Sequence, residues 1–318
     1  MEFRNLGNSG LKVSVAGLGC NNFGMRLDEA KTKVVVDAAI DAGITLFDTA
    51  DVYGQTKSEE FLGRALGARR HDVVIATKFA MQLGEGPYKT GGSRHYIYKA
   101  VEDSLSRLGT DYIDVYQMHS PDDDTPIEET LRALDDLVRQ GKIRYIGSSN
   151  FSGWQIAEAD AIARNAGLTR FVSAQNEWSL LTRTIEHEVI PACGHFGVGQ
   201  LPFFPLASGF LTGKYTRGEE LPEGTRLAAW SKVMPDRIAA ATSDKNWDKL
   251  AGLTKFAEDH GHTILELALS WLATNPVTSS VIAGATKVEQ IESNVAGTMA
   301  WRLSDEEMTE VDTILKGA

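Results

Sequence analysis

The sequence predicts a (β/α)₈ barrel, and two observations support this fold. Short apolar runs alternate with longer amphipathic stretches along the chain, and a glycine follows several of the amphipathic stretches. The apolar runs are continuous rather than alternating in polarity, as is typical of parallel strands that are covered on both faces. A strand, loop, helix and glycine unit that repeats eight times along the sequence favours a closed barrel, in which every strand ends at the same face.

The candidate elements follow one another in a regular order. The opening FRNLGNSGLKV alternates around an Asn-Ser-Gly turn and predicts an N-terminal β-hairpin. Eight candidate barrel strands begin, in order, at Val13, Ile44, Val73, Ile113, Ile143, Phe171, Val198 and Ser279. Helical patterns cover 28–42, 58–66, 96–108, 127–140 and 152–165. Gly43, Gly67, Gly109 and Gly141 stand where C-terminal caps are expected, and Ser152 is a candidate N-cap.

The stretch with the weakest pattern covers about residues 216–246 and interrupts the seventh unit. Its glycines and prolines predict a long irregular insert after strand 7, which is more typical of a functional loop than of a domain linker. Since no Pro/Ser-rich linker divides the sequence, residues 1–318 are expected to form a single barrel domain.

Composition narrows the range of functions. The formal net charge of -11 makes the protein a poor candidate for binding nucleic acid or an anionic membrane. Cys20 and Cys193 are the two cysteines, without a CxxC or a histidine cluster at metal-ligand spacing, so neither a disulfide scaffold nor a metal site is expected. The N-terminal MEFRNLGNSG lacks the apolar core of a signal peptide, and we expect a cytoplasmic protein.

Four polar residues in four chain segments predict a catalytic site. Asp48 and Tyr53 lie in LFDTADVYG, Lys78 ends VVIATK, and His119 follows IDVYQM. Because parallel barrel strands open on one face, these side chains are expected to meet in one mouth. A phenol, an ammonium, a carboxylate and an imidazole together suit proton donation to a carbonyl oxygen while another group supplies hydride. Taken singly, Tyr53 is equally well explained as a loop tyrosine that covers the core. A buried histidine without a catalytic role is a lesser alternative for His119.

Two glycine motifs resemble nucleotide-binding fingerprints but do not fit them. Gly17-Leu18-Gly19 lacks the third glycine of the dinucleotide motif, and the segment from Gly209 to Tyr215 is one residue short of a P-loop. Neither a Rossmann fold nor an NTPase is therefore indicated. The same glycines still allow backbone amides to approach a pyrophosphate.

The motifs resemble the aldo-keto reductase superfamily over nearly the whole chain. They are GLGCNNFG, FDTADVYG, IATK, YIDVYQMHSPD, IRYIGSSNF, QNEWSLL, FPLASGFLTGKY and GATKVEQIESN, in the order and spacing of the family. The resemblance is strongest to bacterial members and to the potassium-channel β-subunit-like branch. It implies an NADPH-dependent oxidoreductase that reversibly reduces aldehydes or ketones to alcohols, with a small-molecule carbonyl or alcohol as its partner.

Catalytic roles follow from this resemblance. Tyr53 would be the general acid and base, and Lys78 would lower the pKa of its phenol, which is ordinarily about 10. Asp48 would keep Lys78 charged and oriented. His119 would hydrogen-bond the carbonyl oxygen of the substrate and set its angle.

The resemblance also implies a cofactor site built from several loops. Ser149, Asn150 and Gln175 would supply the polar groups for the carboxamide. Helix capping is an alternative explanation for Ser149 and Asn150. Phe203 stands where many members place a Tyr or Trp ring against the nicotinamide. The residues of the pyrophosphate loop are Pro205, Leu206, Ser208, Gly209, Leu211 and Lys214. Those of the adenosine-phosphate end are Gly284, Thr286, Lys287, Gln290 and Asn294. Arg226, from the insert, either covers the cofactor or is an ordinary solvated arginine.

Cofactor choice depends on Lys287. A lysine at a helix start favours a ribose 2'-phosphate, so NADPH is expected to bind better than NADH. Gln290 stands where the short-loop branch has a phosphate-binding Arg, and Ser293 stands where many members have an adenine-contacting Glu. Both departures weaken this preference. Residues expected to rim the substrate mouth are Asn22, Phe23, Met81, Tyr88 and Trp178, and LGEGPYKTGGSRHY is a candidate lid.

Two other functions stay open at this point. One is an NADPH-binding regulatory or sensor protein of the channel β-subunit type, with slow turnover. The other is a hydrolase or aldolase in which Lys78 forms a Schiff base. Asp48 beside Lys78 should keep the amine protonated, which makes it a poor nucleophile.

Overall fold

Eight parallel strands form the centre of the molecule in a computed structural model that describes residues 1–317. They are β3 (Ala16–Gly19), β4 (Leu46–Asp48), β5 (Val74–Phe79), β6 (Ile113–Met118), β7 (Ile143–Ser149), β8 (Phe171–Gln175), β9 (Gly199–Gln200) and β10 (Val281–Gly284). Neighbours in the sheet follow chain order, and β10 lies beside β3. The backbone N–H of Gln200 donates to Val277 at 2.8 Å and that of Ile282 donates to Pro202 at 3.0 Å. These bonds join the last two strands, so the sheet curls into the predicted barrel.

The predicted N-terminal hairpin is confirmed. It pairs β1 (Phe3–Asn5) with β2 (Lys12–Ser14) in antiparallel register. Leu6 and Val13 are fully buried in a cluster with Leu46 and Val115 of the barrel strands, so the hairpin closes one end of the barrel. The apolar run from Val13 was predicted as one strand, and this is wrong. It contains the end of β2 and the whole of β3, because the chain must turn from the hairpin into the sheet.

Twelve helices surround the sheet within residues 1–317. They are α1 (Glu29–Asp41), α2 (Lys57–Leu66), α3 (Arg94–Leu108), α4 (Ile127–Arg139), α5 (Gly153–Ala166), α6 (Val189–Phe196), α7 (Arg226–Ser231), α8 (Pro235–Ala241), α9 (Asp244–Asp259), α10 (Ile264–Thr274), α11 (Val288–Met299) and α12 (Asp305–Gly317). Gly109 ends α3 in the left-handed conformation at φ 64°, as a C-terminal cap requires. Ser152 caps α5 and forms a capping box with Gln155.

The insert after the seventh barrel strand lies where it was predicted, and it is irregular over residues 213–225 but helical beyond them. It contains the short helices α7 and α8 and the start of α9. Leu227 and Ile238 anchor the two short helices, since both are buried in an apolar cluster with Phe210 and Trp271. Two turns of helix offer too few apolar positions to produce a clear period, so the sequence pattern did not reveal them.

None of the helices within residues 1–317 has the length and apolar character needed to cross a bilayer.

Candidate active site

Three adjacent barrel strands bring the four predicted catalytic residues together. Asp48 is the last residue of β4, Lys78 is the penultimate residue of β5, and His119 directly follows β6. Tyr53 lies on the turn between β4 and α2. Because these strands are parallel neighbours, their C-terminal ends place all four side chains at one mouth.

A buried ion pair forms the floor of this site. The Nζ of Lys78 donates to both carboxylate oxygens of Asp48 at 2.8 Å and to the carbonyl of Thr49 at 2.8 Å. Gln175 also donates to Asp48, at 2.8 Å, and Gln117 does so at 3.3 Å. Burial disfavours the ammonium, but Asp48 and Tyr53 offset this and hold the pKa of Lys78 above its ordinary value. Lys78 is therefore a fixed cation across the physiological range.

Tyr53 stands over this cation. Its hydroxyl lies 3.5 Å from the Nζ of Lys78, and its ring centroid lies 5.0 Å from the same atom. The ring meets that of His119 edge to face, with centroids 5.7 Å apart. Burial raises the pKa of Tyr53 by more than Lys78 lowers it, so the net shift is upward. Lys78 thus acts on the phenol in the predicted direction, but the net lowering expected from the sequence does not result.

His119 is a neutral imidazole in this setting. Burial, with a smaller effect from Lys78, lowers its pKa to about 3. Its Nδ1 is buried without a hydrogen-bond partner among the described residues. The carbonyl oxygen of His119 accepts from the side chain of Asn150 at 2.9 Å, which fixes the backbone at this point. A neutral ring with unused hydrogen-bonding capacity suits contact with a polar, uncharged group.

The ends of β7 and β8 carry Ser149, Asn150 and Gln175, beside the catalytic tetrad of Asp48, Tyr53, Lys78 and His119. Asn150 has a left-handed backbone at φ 61°, and its amide donates to the Ser149 hydroxyl at 3.2 Å. The alternative explanation, that Ser149 and Asn150 cap α5, is wrong because Ser152 is the cap. Since Gln175 also holds Asp48, this polar set is continuous with the ion pair.

The predicted pyrophosphate loop has an unusual backbone. It follows Phe203, a half-buried ring that packs edge to face on Phe204 at 5.2 Å. After Pro205 and Leu206, the φ angles of Ala207, Ser208 and Gly209 are 46°, 60° and 97°. Successive left-handed residues curve the chain tightly, and the backbone N–H groups of Ala207 and Gly209 donate to the carbonyls of Phe204 and Leu206 at 2.9 Å and 2.8 Å, so these two donors are used within the loop. Leu211 is fully buried and anchors the loop to the core.

Three cations meet next to this loop. Arg26, Lys214 and Arg226 are near enough to one another that burial and the two arginines lower the pKa of Lys214. Arg26 donates to the carbonyl of Gly224 at 2.8 Å. None of the three makes an ion pair with a residue whose side chain the structure describes. Convergent cations without carboxylates indicate a place for an anionic ligand.

Arg26 was not predicted, although it follows the first barrel strand. Its signal was its position in the loop after β3, at the mouth face. Arg226 was predicted with an alternative as a solvated residue, and the structure disfavours that alternative. Burial and Arg26 lower the pKa of Arg226, and its Nη2 lies 3.5 Å from the side chain of Asn22.

The predicted adenosine-phosphate end lies at the start of α11. Lys287 is the N-cap residue, is exposed, and leaves the helix end without a side-chain cap. Gln290 accepts from the backbone N–H of Thr286 at 2.7 Å, so its side-chain oxygen is used within the protein. Gly284 ends β10 beside Arg226: a Cβ there would lie 3.5 Å from the guanidinium. Asn294 is buried on α11.

The residues expected to rim the substrate mouth divide into two groups. Met81 and Tyr88 are exposed, at 41% and 60%. Asn22, Phe23 and Trp178 are buried instead. Asn22 still lies 3.5 Å from Arg226 at this face, whereas Trp178 does not rim the mouth, and for it the expectation is wrong. Trp178 packs against Trp271 and donates to Glu186 at 2.9 Å, which directs it into the core.

Comparison with known proteins places this geometry in context. The sequence profile of the aldo/keto reductase family matches residues 16–316. A probable voltage-gated potassium channel subunit beta of Oryza sativa subsp. japonica is 40% identical over 301 residues, or 93% of this chain and 90% of that protein. An uncharacterised oxidoreductase of Bacillus subtilis is 37% identical over 306 residues, with shares of 93% and 90%.

The L-glyceraldehyde 3-phosphate reductase of Escherichia coli O157:H7 is 33% identical over 320 residues, or 98% of this chain and 92% of that protein. These relatives include proteins named as oxidoreductases, and each aligns along almost its full length. The profile match over nearly the whole chain and this degree of identity lead to one conclusion: the chain belongs to the aldo/keto reductase family.

Proposed function

We propose that the protein is an NADPH-dependent oxidoreductase that reduces aldehyde or ketone carbonyls to alcohols, reversibly. The observation that carries the proposal is the fully buried Lys78 cation 3.5 Å from the Tyr53 hydroxyl, with a neutral His119 beside it. NADPH, when bound, supplies the hydride. The protein supplies the proton and the geometry.

Each side chain has a separate task in this reaction. As hydride reaches the carbonyl carbon, negative charge develops on its oxygen, and Tyr53 transfers its hydroxyl proton there, so that C=O becomes CH–OH. The phenolate that remains is stabilised by Lys78 and regains a proton from solvent. Asp48 keeps Lys78 in place. His119 orients the carbonyl oxygen, and because its ring is neutral it does so without competing as an acid.

The residues at the rim fit a phosphate-bearing cofactor. Arg26, Lys214 and Arg226 make no ion pair among the described residues and offer positive charge beside the tightly curved loop from Ala207 to Gly209. Lys287 sits at the uncapped N-terminus of α11, where the helix dipole favours an anion. This arrangement supports NADPH over NADH, with Lys287 contacting the 2'-phosphate.

Tyr53→Phe tests the proposal directly. The substitution keeps the ring and removes the proton, so the hydride-transfer rate should fall by about 10²–10⁴-fold. The measurement is single-turnover NADPH oxidation with saturating 4-nitrobenzaldehyde, alongside a fluorescence titration that checks NADPH binding. Tyr98→Phe is the matched control, because Tyr98 lies on α3 in contact with Arg94, away from the mouth. A Tyr53→Phe protein that binds NADPH normally and keeps the parental rate would refute the assignment of the acid.

A second function is favoured by the potassium-channel relative. It is a regulatory subunit that reports NADPH through slow turnover of the same site. Arg226 on α7 would slow release of the oxidised cofactor. A stopped-flow burst of one NADPH per site, followed by a steady state equal to the measured NADP⁺ release rate, would support it. Fast multiple turnover would favour a metabolic reductase.

A Schiff-base enzyme is disfavoured by the same geometry. Lys78 is held as an ammonium by three short hydrogen bonds and a raised pKa, so it lacks a free electron pair for attack on a carbonyl. Treating the protein and 4-nitrobenzaldehyde with borohydride should therefore leave Lys78 unmodified, as peptide mass spectrometry would show.

A further inference from the structure

A second cluster of buried titratable groups lies next to the turn that carries Tyr53, and the reaction above makes no use of it. Its centre is Asp51, which is fully buried. No hydrogen bond of normal geometry reaches the carboxyl oxygens of Asp51, although the hydroxyl of Tyr96 lies close enough to act on this carboxyl as a hydrogen-bonding group. The hydroxyl of Tyr116 has no hydrogen-bond partner among the described residues. Unpaired polar atoms are rare in protein interiors because burial removes the hydrogen bonds they made in water. Several buried polar groups without good hydrogen bonds at one place indicate a functional role.

The ionisable groups that act on Asp51 come from four packed elements. They are Glu59 of α2, Tyr96 and Arg107 of α3, Lys78 of β5 and Tyr116 of β6. Both cations in this set are already bound. Arg107 pairs with Glu59 at 2.6 Å, and Lys78 pairs with Asp48 at 2.8 Å. An ionised Asp51 would therefore have no cation of its own and a like charge on Glu59 nearby.

This environment makes the neutral form of Asp51 the form that fits. Burial, with a further contribution from the Glu59 carboxylate, raises the pKa of Asp51 to about 7. A raised pKa means that the neutral acid is held below this value and that the buried charge appears above it. The titration thus falls in the range where the protein works.

Asp51 is also part of the structure that positions Tyr53. Its backbone N–H donates to the carbonyl of Lys78 at 3.3 Å, and that of Tyr53 donates to Ala50 at 3.2 Å. Gly54, Gln55 and Thr56 then have φ angles of 59°, 54° and 77°. Left-handed backbone is unfavourable for Gln and Thr, so the surroundings must hold this turn in place.

The contact that depends on the turn is a marginal one. The Tyr53 hydroxyl lies 3.5 Å from the Nζ of Lys78, at the outer limit of a hydrogen bond. A displacement of a few tenths of an ångström therefore decides whether the phenol is aligned with the cation.

We propose that Asp51 is a positioning residue for Tyr53: its neutral carboxyl locks the turn that holds the phenol against Lys78, and its ionisation releases that turn. The inference rests on the proposed role of Tyr53 as proton donor. An ionised Asp51 can gain a partner only by moving toward Arg107 or solvent, and the turn moves with it. Proton donation by Tyr53 consequently weakens as Asp51 loses its proton.

The pH profile of hydride transfer tests this coupling. Single-turnover NADPH oxidation with 4-nitrobenzaldehyde should fall about tenfold or more in the parent as pH rises through about 7, the scale of a small misalignment of a catalytic group. Asp51→Asn, which is neutral at every pH, should lack this step. Glu59→Gln frees Arg107 and removes a like charge, so it should move the step to lower pH. A merely structural Asp51 would change the rate uniformly and leave the step in place.

Asp259→Asn is the matched control. Asp259 lies on α9 and pairs with Lys255 at 2.6 Å on the exposed surface, so its loss should preserve the parental profile. Thermal melts establish that each variant folds. If Asp51→Asn does not fold, the shift or constancy of the step in Glu59→Gln decides the question alone.

A second measurement does not depend on activity. In protein labelled with ¹³C at the tyrosine ring carbon that bears oxygen, the Tyr53 signal is identified by its loss in Tyr53→Phe. That signal should move with the Asp51 titration in the parent and stay fixed in Asp51→Asn. If no carbonyl is reduced but the signal moves, the proposed function fails and the coupling stands. If carbonyls are reduced but both the step and the movement are missing, or persist in Asp51→Asn, the proposal is overturned.

Discussion

Replacing Lys78 by Met isolates the part of the mechanism that the geometry defines best. Met retains the apolar stem of the lysine and removes the ammonium, which lies 3.5 Å from the Tyr53 hydroxyl and 2.8 Å from Asp48. The Asp48 carboxylate keeps its hydrogen bonds from Gln175 and Gln117. The variant should therefore fold, and the phenolate of Tyr53 should lose the charge that stabilises it.

The size of the effect follows from the distance. Two unit charges 3.5 Å apart attract by roughly 5 kcal/mol at an effective dielectric constant of about 20. Asp48 lies next to Lys78 and cancels part of this field, so the expected rise in the pKa of Tyr53 is about 1–3 units. Since each unit lowers the phenolate fraction tenfold below the pKa, alcohol oxidation at about pH 8 should fall by about 10–10³-fold.

The assay is the pH dependence of kcat/KM for oxidation of 4-nitrobenzyl alcohol with NADP⁺. The part of the pH–rate profile that reports the Tyr53 base should move to higher pH. The kcat/KM for carbonyl reduction should fall by the same factor as that for alcohol oxidation, because the overall equilibrium constant is unchanged. Lys99→Met serves as the control, since Lys99 forms an exposed pair with Asp103. Adding Lys78→Met to Tyr53→Phe should have little further effect if Lys78 acts through the phenol. An unmoved profile with full activity would refute the reasoning.

Four further outcomes follow from the site. Lys287→Met should narrow the affinity gap between NADPH and NADH by about 1 kcal/mol or more, and equal parental affinities in binding titrations would contradict the 2'-phosphate assignment. Arg226→Met should weaken NADPH binding by about 10–100-fold, the scale of a charged hydrogen bond, with little change in the single-turnover rate. Because the pKa of Asp51 is raised to about 7, the free energy of unfolding of the parent should fall by up to about 4 kcal/mol as pH rises from about 4 to 7. Asp51→Asn should lack this fall, and urea unfolding of both proteins at about pH 4 and pH 7 checks the difference. The ring signals of His119 should show no titration by NMR above about pH 5, since its pKa is about 3.

How far the sequence predicts this site is shown by the tetrad. Asp48, Lys78 and His119 each end an apolar run, and the rule that parallel strands open on one face was sufficient to bring them together. Tyr53 could be placed beside them because it follows Asp48 by only five residues, on the turn that leaves the same strand. These predictions rest on local pattern and topology, which the sequence contains directly.

Depth of burial is what the pattern did not contain. In α1, the apolar Val34 is 55% exposed while the polar Thr32 is fully buried, the reverse of what their polarity favours. Three consecutive valines at 34–36 cannot all point to one face of a helix, and contact with the sheet, rather than periodicity, selects Val35 and Val36. The same lack of depth hid the buried Trp178, and it left the net upward shift in the pKa of Tyr53 unforeseen.

Asp51 shows the limit most clearly. An aspartate between Ala50 and Val52 in a turn is expected to be solvated, and no spacing in the sequence distinguishes it from one that is fully buried. Its neighbours Glu59, Arg107 and Tyr116 come from positions up to 65 residues away along the chain. Only the folded arrangement reveals that the carboxyl has no cation to pair with.

The distribution of charge in the mouth separates the two tasks of the proposed reaction. The chain has a net charge of -11, yet the rim cations Arg26, Lys214 and Arg226 converge without a carboxylate partner among the described residues, whereas Lys78 at the floor is fully paired. Unpaired cations that converge repel one another, and an anion bound between them removes this repulsion and stabilises the protein. A paired, buried cation instead keeps a fixed field that does not change when a ligand enters. The rim is thus suited to holding phosphates, the floor to moving a proton, and the same division serves a rapid reductase and a slow NADPH reporter, which would differ in how tightly the rim retains its ligand.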